Sequence, residues 1–352
     1  MDALRGVMML LGIVFHSAVS FLIYPVQEFW PYKFSENHVF FDVLLTLIHL
    51  FRIPVFFIIA GYFMSMQLDK YGGKQAALKR IKRIVVPFIF SMLFLAPWVS
   101  YGFGVLAYGE TWHGLNGVRP YLLLPKSGTV HFWFLYYLIF YNLIHILYAQ
   151  FLAGKIKYPA TSDTGALVRL FLIQVIILFV FGNQSIHGDY SFLPAVGSVL
   201  YFLMYYLFGI WAYRHYDTFV DWTTITFRKM LIALGLLLGY LSFRDHERYF
   251  SHGIWHYFES ILTISVAFSL ILVIFGLFRK FFSQEQKWAQ SMAKASYTIY
   301  LVHLPILVWL LYIFRNKVAN PFLFFGLLMI LTTLSSVLVY LILDWLKITK
   351  RL

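Results

Sequence analysis

Apolar runs constrain this chain more than any single motif. Ten of them recur, at residues 4–24, 39–67, 84–106, 131–151, 168–187, 195–213, 230–243, 254–278, 296–314 and 321–345. Most approach or exceed the roughly 20 residues that carry a helix across a bilayer. With 61% of its 352 residues hydrophobic and 12% charged, the chain cannot hide so much apolar surface in one globular core, so the excess must face lipid. Lipid offers no partner to open backbone groups, which makes helices the expected form of every span. The expected fold is all-α: a polytopic membrane helix bundle of about ten transmembrane helices, in one integral domain over residues 1–352 with no soluble extra domain. Pro54 predicts a kink or half-helix inside the second span.

A net charge of +13 would suit nucleic acid, but its distribution has another cause. With the N- and C-termini cytoplasmic, 20 of the 28 Lys and Arg fall in inner segments and seven in outer ones, leaving Arg52 inside a span. That is the positive-inside bias, so no nucleic-acid partner is expected and membrane lipid is the surrounding one. The absence of cysteine excludes disulfides, thiolate metal sites and a cysteine acyl-enzyme. Arg5, the apolar run after it and Ser17 to Ser20 imitate a cleaved signal peptide. His16 interrupts that apolar core, which favours a retained span.

Polar groups inside the spans carry the functional signal. Arg5 and His16 are eleven positions apart, about 16 Å along a helix, so Arg5 stands at the entry and His16 near the membrane middle. An imidazole there costs free energy without a partner or a wet cavity, which makes function its default reading; Arg5 alone reads as a snorkelling anchor. In the second span His49 and Arg52 lie one turn apart, with Asp42 the available internal partner for the guanidinium. Gly61 reads as a point of close helix approach. Lys79, Arg80, Lys82 and Arg83 cluster before the third span. They are either a topology and lipid signal or a phosphate clamp, since residues at i and i+3 share a helix face.

Outer segments mix aromatics with histidines, a combination that suits the apolar faces and hydroxyl edges of sugar rings, although an interfacial belt explains most Trp and Tyr by itself. His131 and Trp133, Trp255 and His256, and Glu259 are the candidates on or near that side, and His303, about halfway through the ninth span, is a further one. A carboxylate at Glu259 would orient an imidazole or an acceptor hydroxyl, or line a wet vestibule. No Gly-rich nucleotide loop, HExxH or GxSxG pattern is present.

The arginine, ten residues and histidine from Arg5 to His16, "RIPVFFIIAGYF" at 52–63, "RIKRIVVP" at 80–87, "HFWFL" at 131–135 and "SYTIYLVHLP" at 296–305 occur in an order that resembles the acyltransferase-3 family of integral membrane acyltransferases. Within it the text is most similar to the glucan biosynthesis protein C group, the glucan succinyltransferases, through "LLGIVFHSAVSF", "IHLFRIPVFFIIAGYF", "ESILTI" and "ASYTIYLVHLP". One departure is the short stretch before Asp2, where the family commonly has more residues. The resemblance implies a multi-pass protein of the bacterial inner membrane that O-acylates an extracytoplasmic carbohydrate. Its co-substrate would be acyl-CoA, as succinyl-CoA or acetyl-CoA, with no metal or prosthetic group. Any second step would fall to separate periplasmic or membrane biosynthetic proteins. Arg80 and Arg83, with Arg5 and Arg52, would hold the cofactor phosphates. His16 would act as base, or accept the acyl group first, with Glu259 as a second catalytic group. His131, Trp133, Trp255, His256 and His303 would bind the acceptor. A secondary transporter or flippase fits intramembrane Arg and His too, but no second copy of the Arg52–Pro54 pattern is present.

Overall fold

The computed structural model describes residues 1–24, 30–108, 128–151, 163–244, 254–282 and 287–347. Among them the only regular structure is helical. Helix α1 is Asp2–Ala18 and α2 is Val39–Arg80. The latter runs on through π-turns at Ile81–Val85 and Ser91–Leu95, separated by a short helix, into α3, Ala96–Tyr108. There follow α4 (Trp133–Phe151), α5 (Asp163–Phe181), α6 (Val196–Arg214), α7 (Tyr216–Thr223), α8 (Phe227–Arg244), α9 (Ile254–Phe281), α10 (Lys287–Phe314) and α11 (Pro321–Trp345).

Helix occupies all ten apolar runs. Among the described residues, seven helices are long and apolar enough to cross a membrane, or eight if the bent pair α7 and α8 is one span. One of the seven is the 69-residue run Val39–Ala107. Straight, it would measure on the order of 100 Å against ~30 Å of hydrocarbon, so it must turn back. It does so at Gly72, whose φ of 73° and ψ of 167° break the helix where a side chain would be strained. Pro54 was the expected breaker, yet it lies within regular helix. The expected ten crossings therefore require the long run to count twice and the shorter apolar helix Gly165–Phe181 to count as well.

Burial separates the helices by duty. Phe57, Tyr141, Tyr201, Phe202 and Tyr205 lie at the centre of the main core. A second cluster of Phe21, Phe34, Phe41 and Phe324 closes the end where α1 passes to α2. On α5, α8 and α11 the apolar residues Ile176, Leu238 and Leu334 are instead exposed, as expected of lipid-facing surfaces. The most extensive pair is α2 with α6. Its closeness depends on Gly61 and Gly209: a Cβ on the first would overlap the Tyr206 carbonyl, and on the second the Ile58 carbonyl. Helix α1 packs on α10 and, less widely, on α2. That three-helix contact positions the site. Its two ends are called the basic end, with Arg5, Arg80 and Arg83, and the aromatic end, with Trp30 and Phe34.

Candidate active site

His16 ends α1 at the depth where the chain leaves regular helix. Its half-buried ring lies 5.3 Å from that of His303 on α10 and stacks on Trp30 at 6.2 Å with an interplanar angle of 16°. Among the described residues it makes no hydrogen bond, so both ring nitrogens are open to a reactant. His131, in the turn Val130–Phe132, lies 5.2 Å from His303 on the other side.

The backbone fixes the His303 tautomer. Its Nδ1 faces the carbonyls of Tyr300 at 2.8 Å and Ile299 at 3.1 Å, which only accept. Nδ1 therefore carries the proton, and Nε2 keeps a lone pair that is buried without a partner. Pro305 adds to this region, because it cannot donate to the Leu301 carbonyl one turn before it. The Leu301 and Tyr300 carbonyls lie beside His131, yet neither of its ring nitrogens reaches good hydrogen-bond geometry. The Tyr300 hydroxyl donates to the His131 carbonyl at 2.7 Å and pins the turn.

Arg52 completes the cluster. It is buried, with Nε lacking any acceptor, and its guanidinium stands 5.8 Å from the Phe15 ring. Space for it comes from Gly12, where a Cβ would meet a terminal guanidinium nitrogen at 2.7 Å. Its charge reaches His16, His131 and His303. Among the described residues it has no carboxylate partner. Asp42 is not that partner, for it accepts from the backbone N–H of Ile23 at 3.0 Å and Tyr24 at 3.3 Å. Arg52 thus belongs with His16, apart from the basic end.

Three cations gather at that end. Arg5 bridges Asp2 at 3.7 Å and lies within electrostatic reach of Arg80 and Arg83. Arg80 has its Nε on the Met64 sulfur at 3.3 Å and one terminal nitrogen buried without an acceptor. Lys79 turns away onto the Tyr71 ring, 3.0 Å from its centroid. The Arg5–Arg80–Arg83 group can receive an anion of more than one charge.

Trp133, Trp255 and Glu259 make no ring contact or hydrogen bond with His16 among the described residues. Trp133 packs on Tyr137 and Phe202, each at 5.3 Å, and buttresses Gly188. Trp255 is exposed beside Phe243 at 6.0 Å. Glu259 is half-buried on α9 and is not among the charges acting on His16. The side chain of His256 lies outside the described residues. Among the described residues no group of three or more His, Cys, Asp or Glu is placed to hold a metal. Three participants escaped the sequence-based choice of site residues. Trp30 had no signal beyond being aromatic, and Tyr300 only its place in the "SYTIYLVHLP" motif. His49, whose Nε2 lies 3.2 Å from His187 Nδ1 and which stacks on Phe15 at 5.6 Å, was signalled by standing one turn from Arg52.

Comparison with known proteins gives the same direction. A family model described as an acyltransferase domain, that of acyltransferase-3, matches residues 1–341. The glucans biosynthesis protein C of Salmonella paratyphi B, and those of Salmonella dublin and Salmonella enteritidis, are each 26% identical over 321 residues. Each match covers 87% of this chain and 81% of the relative. No solved structure matches. Five ordered motifs, a multi-pass helical bundle and a family match across nearly its whole length make this chain a member of the acyltransferase-3 family of membrane acyltransferases.

Proposed function

We infer that this protein moves an acyl group from acyl-CoA, received at the basic end, to a hydroxyl of a carbohydrate met at the aromatic end. The observation that carries this reading is the setting of His16. Among the described residues it is an imidazole free of hydrogen bonds, between a second imidazole and an indole, beside a buried guanidinium without a counterion. Family membership supports acyl transfer, and the relatives' printed name supports a glucan as acceptor. The charge bias supports a cytoplasmic basic end and an aromatic end on the outer side, and the resemblance to the family supports a bacterial inner membrane as the setting. Succinyl is the acyl group we favour, on the resemblance to the glucan-succinylating group.

In this mechanism His16 takes the proton of the acceptor hydroxyl as its oxygen attacks the thioester carbonyl. The carbon–sulfur bond breaks, and the proton passes from His16 to the departing thiolate, leaving ester and free CoA. Arg52, with Nε unpaired and no carboxylate to neutralise it among the described residues, stabilises the negative charge on the carbonyl oxygen. His303 holds a lone pair toward the cluster and orients the hydroxyl or the His16 ring. Trp30 supplies a flat face for a sugar ring. Arg5, Arg80 and Arg83 hold the phosphates at the other end, and proximity supplies much of the rate.

The test is mass spectrometry of periplasmic glycans from cells with the intact chain, without it, and with His16→Ala. A succinyl increment that needs the intact chain and His16 supports every part of the reading. An acetyl increment retains acyl transfer and rejects the succinyl donor. No increment on any glycan from a well-expressed protein defeats the carbohydrate acceptor and favours a transporter.

A further inference from the structure

A second buried polar group lies toward the basic end, between α4 and α6, and takes no part in the steps above. The Tyr206 hydroxyl donates to Asn142 Oδ1 at 3.0 Å. Its one hydrogen spent, it can only accept from His145 Nδ1 at 3.2 Å. This chain of bonds fixes which way the Asn142 amide points, and it leaves Nδ2 as the free end. Nδ2 is buried and has no hydrogen-bond partner among the described residues. Arg80 stands close enough for its charge to reach both Tyr206 and His145. It also has a buried terminal nitrogen without an acceptor. Asp69 also reaches His145 with its charge, but among the described residues it forms no ion pair with Arg80.

Two buried donors in one neighbourhood, each without an acceptor, are costly unless something brings oxygen atoms to them. One donor is a cation and the other a neutral amide. The complementary ligand therefore offers an anionic phosphoryl group and, beside it, a neutral carbonyl or a second phosphoryl oxygen. We propose that Asn142, oriented by Tyr206 and His145, binds the phosphopantetheine arm of the acyl donor through Nδ2, next to the phosphate that Arg80 holds. The assignment rests on the acyl-CoA reading above and adds to it a residue that no sequence motif marked. Tyr206 and His145 are positioning residues, acting through Asn142.

The deciding substitution is Asn142→Asp. It keeps the size of the side chain and the oxygen that accepts from Tyr206, and replaces the unpaired donor by a second acceptor that also carries negative charge. Calorimetry on the purified full chain in detergent would measure CoA, 4′-phosphopantetheine and adenosine 3′,5′-bisphosphate. Asn142→Asp is expected to weaken CoA and 4′-phosphopantetheine by about ten-fold or more, and the bisphosphate, which feels the added charge but loses no donor, by a clearly smaller factor. Tyr206→Phe, which frees the amide to turn, should weaken the same two ligands by a smaller factor. It decides the matter alone if Asn142→Asp does not fold. Equal affinities in the folded variants, or a loss shared equally by the bisphosphate, overturn the assignment. If the unsubstituted protein binds neither CoA nor acyl-CoA, the donor reading itself falls, an outcome separate from a variant that binds like the parent.

Discussion

His16 and His303 face each other across the contact of α1 with α10, their ring centroids 5.3 Å apart, and only one of them is committed by the backbone. His303 gives its Nδ1 proton to two carbonyls, while His16 is bound to nothing among the described residues. The free ring is the one able to shuttle a proton, and the fixed ring is its scaffold. His16→Ala should then remove acyl transfer, a loss of at least about 10²–10⁴ in turnover, with normal amounts of protein in the membrane. His303→Ala should cost less, because it removes orientation and not the base. Equal, mild losses for both in a transfer assay would take His16 out of the proton path.

Gly12 and Arg52 give a test that touches neither imidazole. A methyl group on Gly12 would come within 2.7 Å of the guanidinium, which must then leave its position beside Phe15. Gly12→Ala should lower turnover by ten-fold or more, the order of effect seen when one oxyanion donor is displaced. Gly235→Ala is the control, since a Cβ there meets nothing within 4 Å and alanine favours helix. A Gly12→Ala protein as active as the control would show that the place of Arg52 does not matter to the reaction.

The helices were legible because lipid enforces them: an apolar run of sufficient length has no other way to satisfy its backbone. The chain reversal was not, because Pro54 looks like the stronger breaker. Pro within a membrane helix loses one bond that neighbours can offset, whereas Gly72 adopts a backbone conformation that ends the helix outright. At the site, His16 and Arg52 were marked by the cost of a polar or charged group in an apolar segment, and Arg80 and Arg83 by their spacing on one helix face, whereas Arg5 alone read as a snorkelling anchor. That cost says where a residue is unusual and not what it meets. Arg52 was grouped with the phosphate-binding arginines, yet it packs against Gly12 and Phe15 at the level of His16. Asn142 and Tyr206 are ordinary residues in ordinary spans, and only the direction of one hydroxyl hydrogen singles them out.

Asp189 governs the segment that carries His187 to His49. Its carboxylate accepts from the backbone N–H of Ser191 at 2.8 Å and of Ala195 at 2.7 Å. Burial pushes this carboxyl up, but the hydrogen bonds from these N–H groups outweigh burial and hold it below its ordinary value. A depressed carboxyl adds stability above the unfolded-state value and loses it as pH falls through the folded one. The segment 182–195 should therefore keep its amide protection at neutral pH and lose it in acid, below about pH 4. Asp189→Asn should show the loosened pattern at every pH. Hydrogen exchange read on peptides from this segment would decide, and protection in the variant equal to the parent's at pH 7 would exclude the carboxylate as its cause.

Arg80 and Arg83 reach the basic end by different routes, one with its stem against Met64 and one exposed on a π-turn. Their charges add to that of Arg5 at a single place. If the three hold phosphates, Arg80→Ala with Arg83→Ala should weaken CoA binding by about 10²-fold, at roughly 1.5 kcal/mol for each charge-assisted contact. Affinity of the parent should also fall as salt rises, because the contacts are ionic and partly exposed, and the double variant should show a shallower salt dependence. Turnover at saturating donor should change far less than KM, since both residues bind a part of the substrate that does not react. The opposite pattern, with KM intact and turnover lost, would place these arginines at the reacting carbonyl. Unchanged affinity and an unchanged salt slope would reduce them to the charge signal that orients the chain in the membrane.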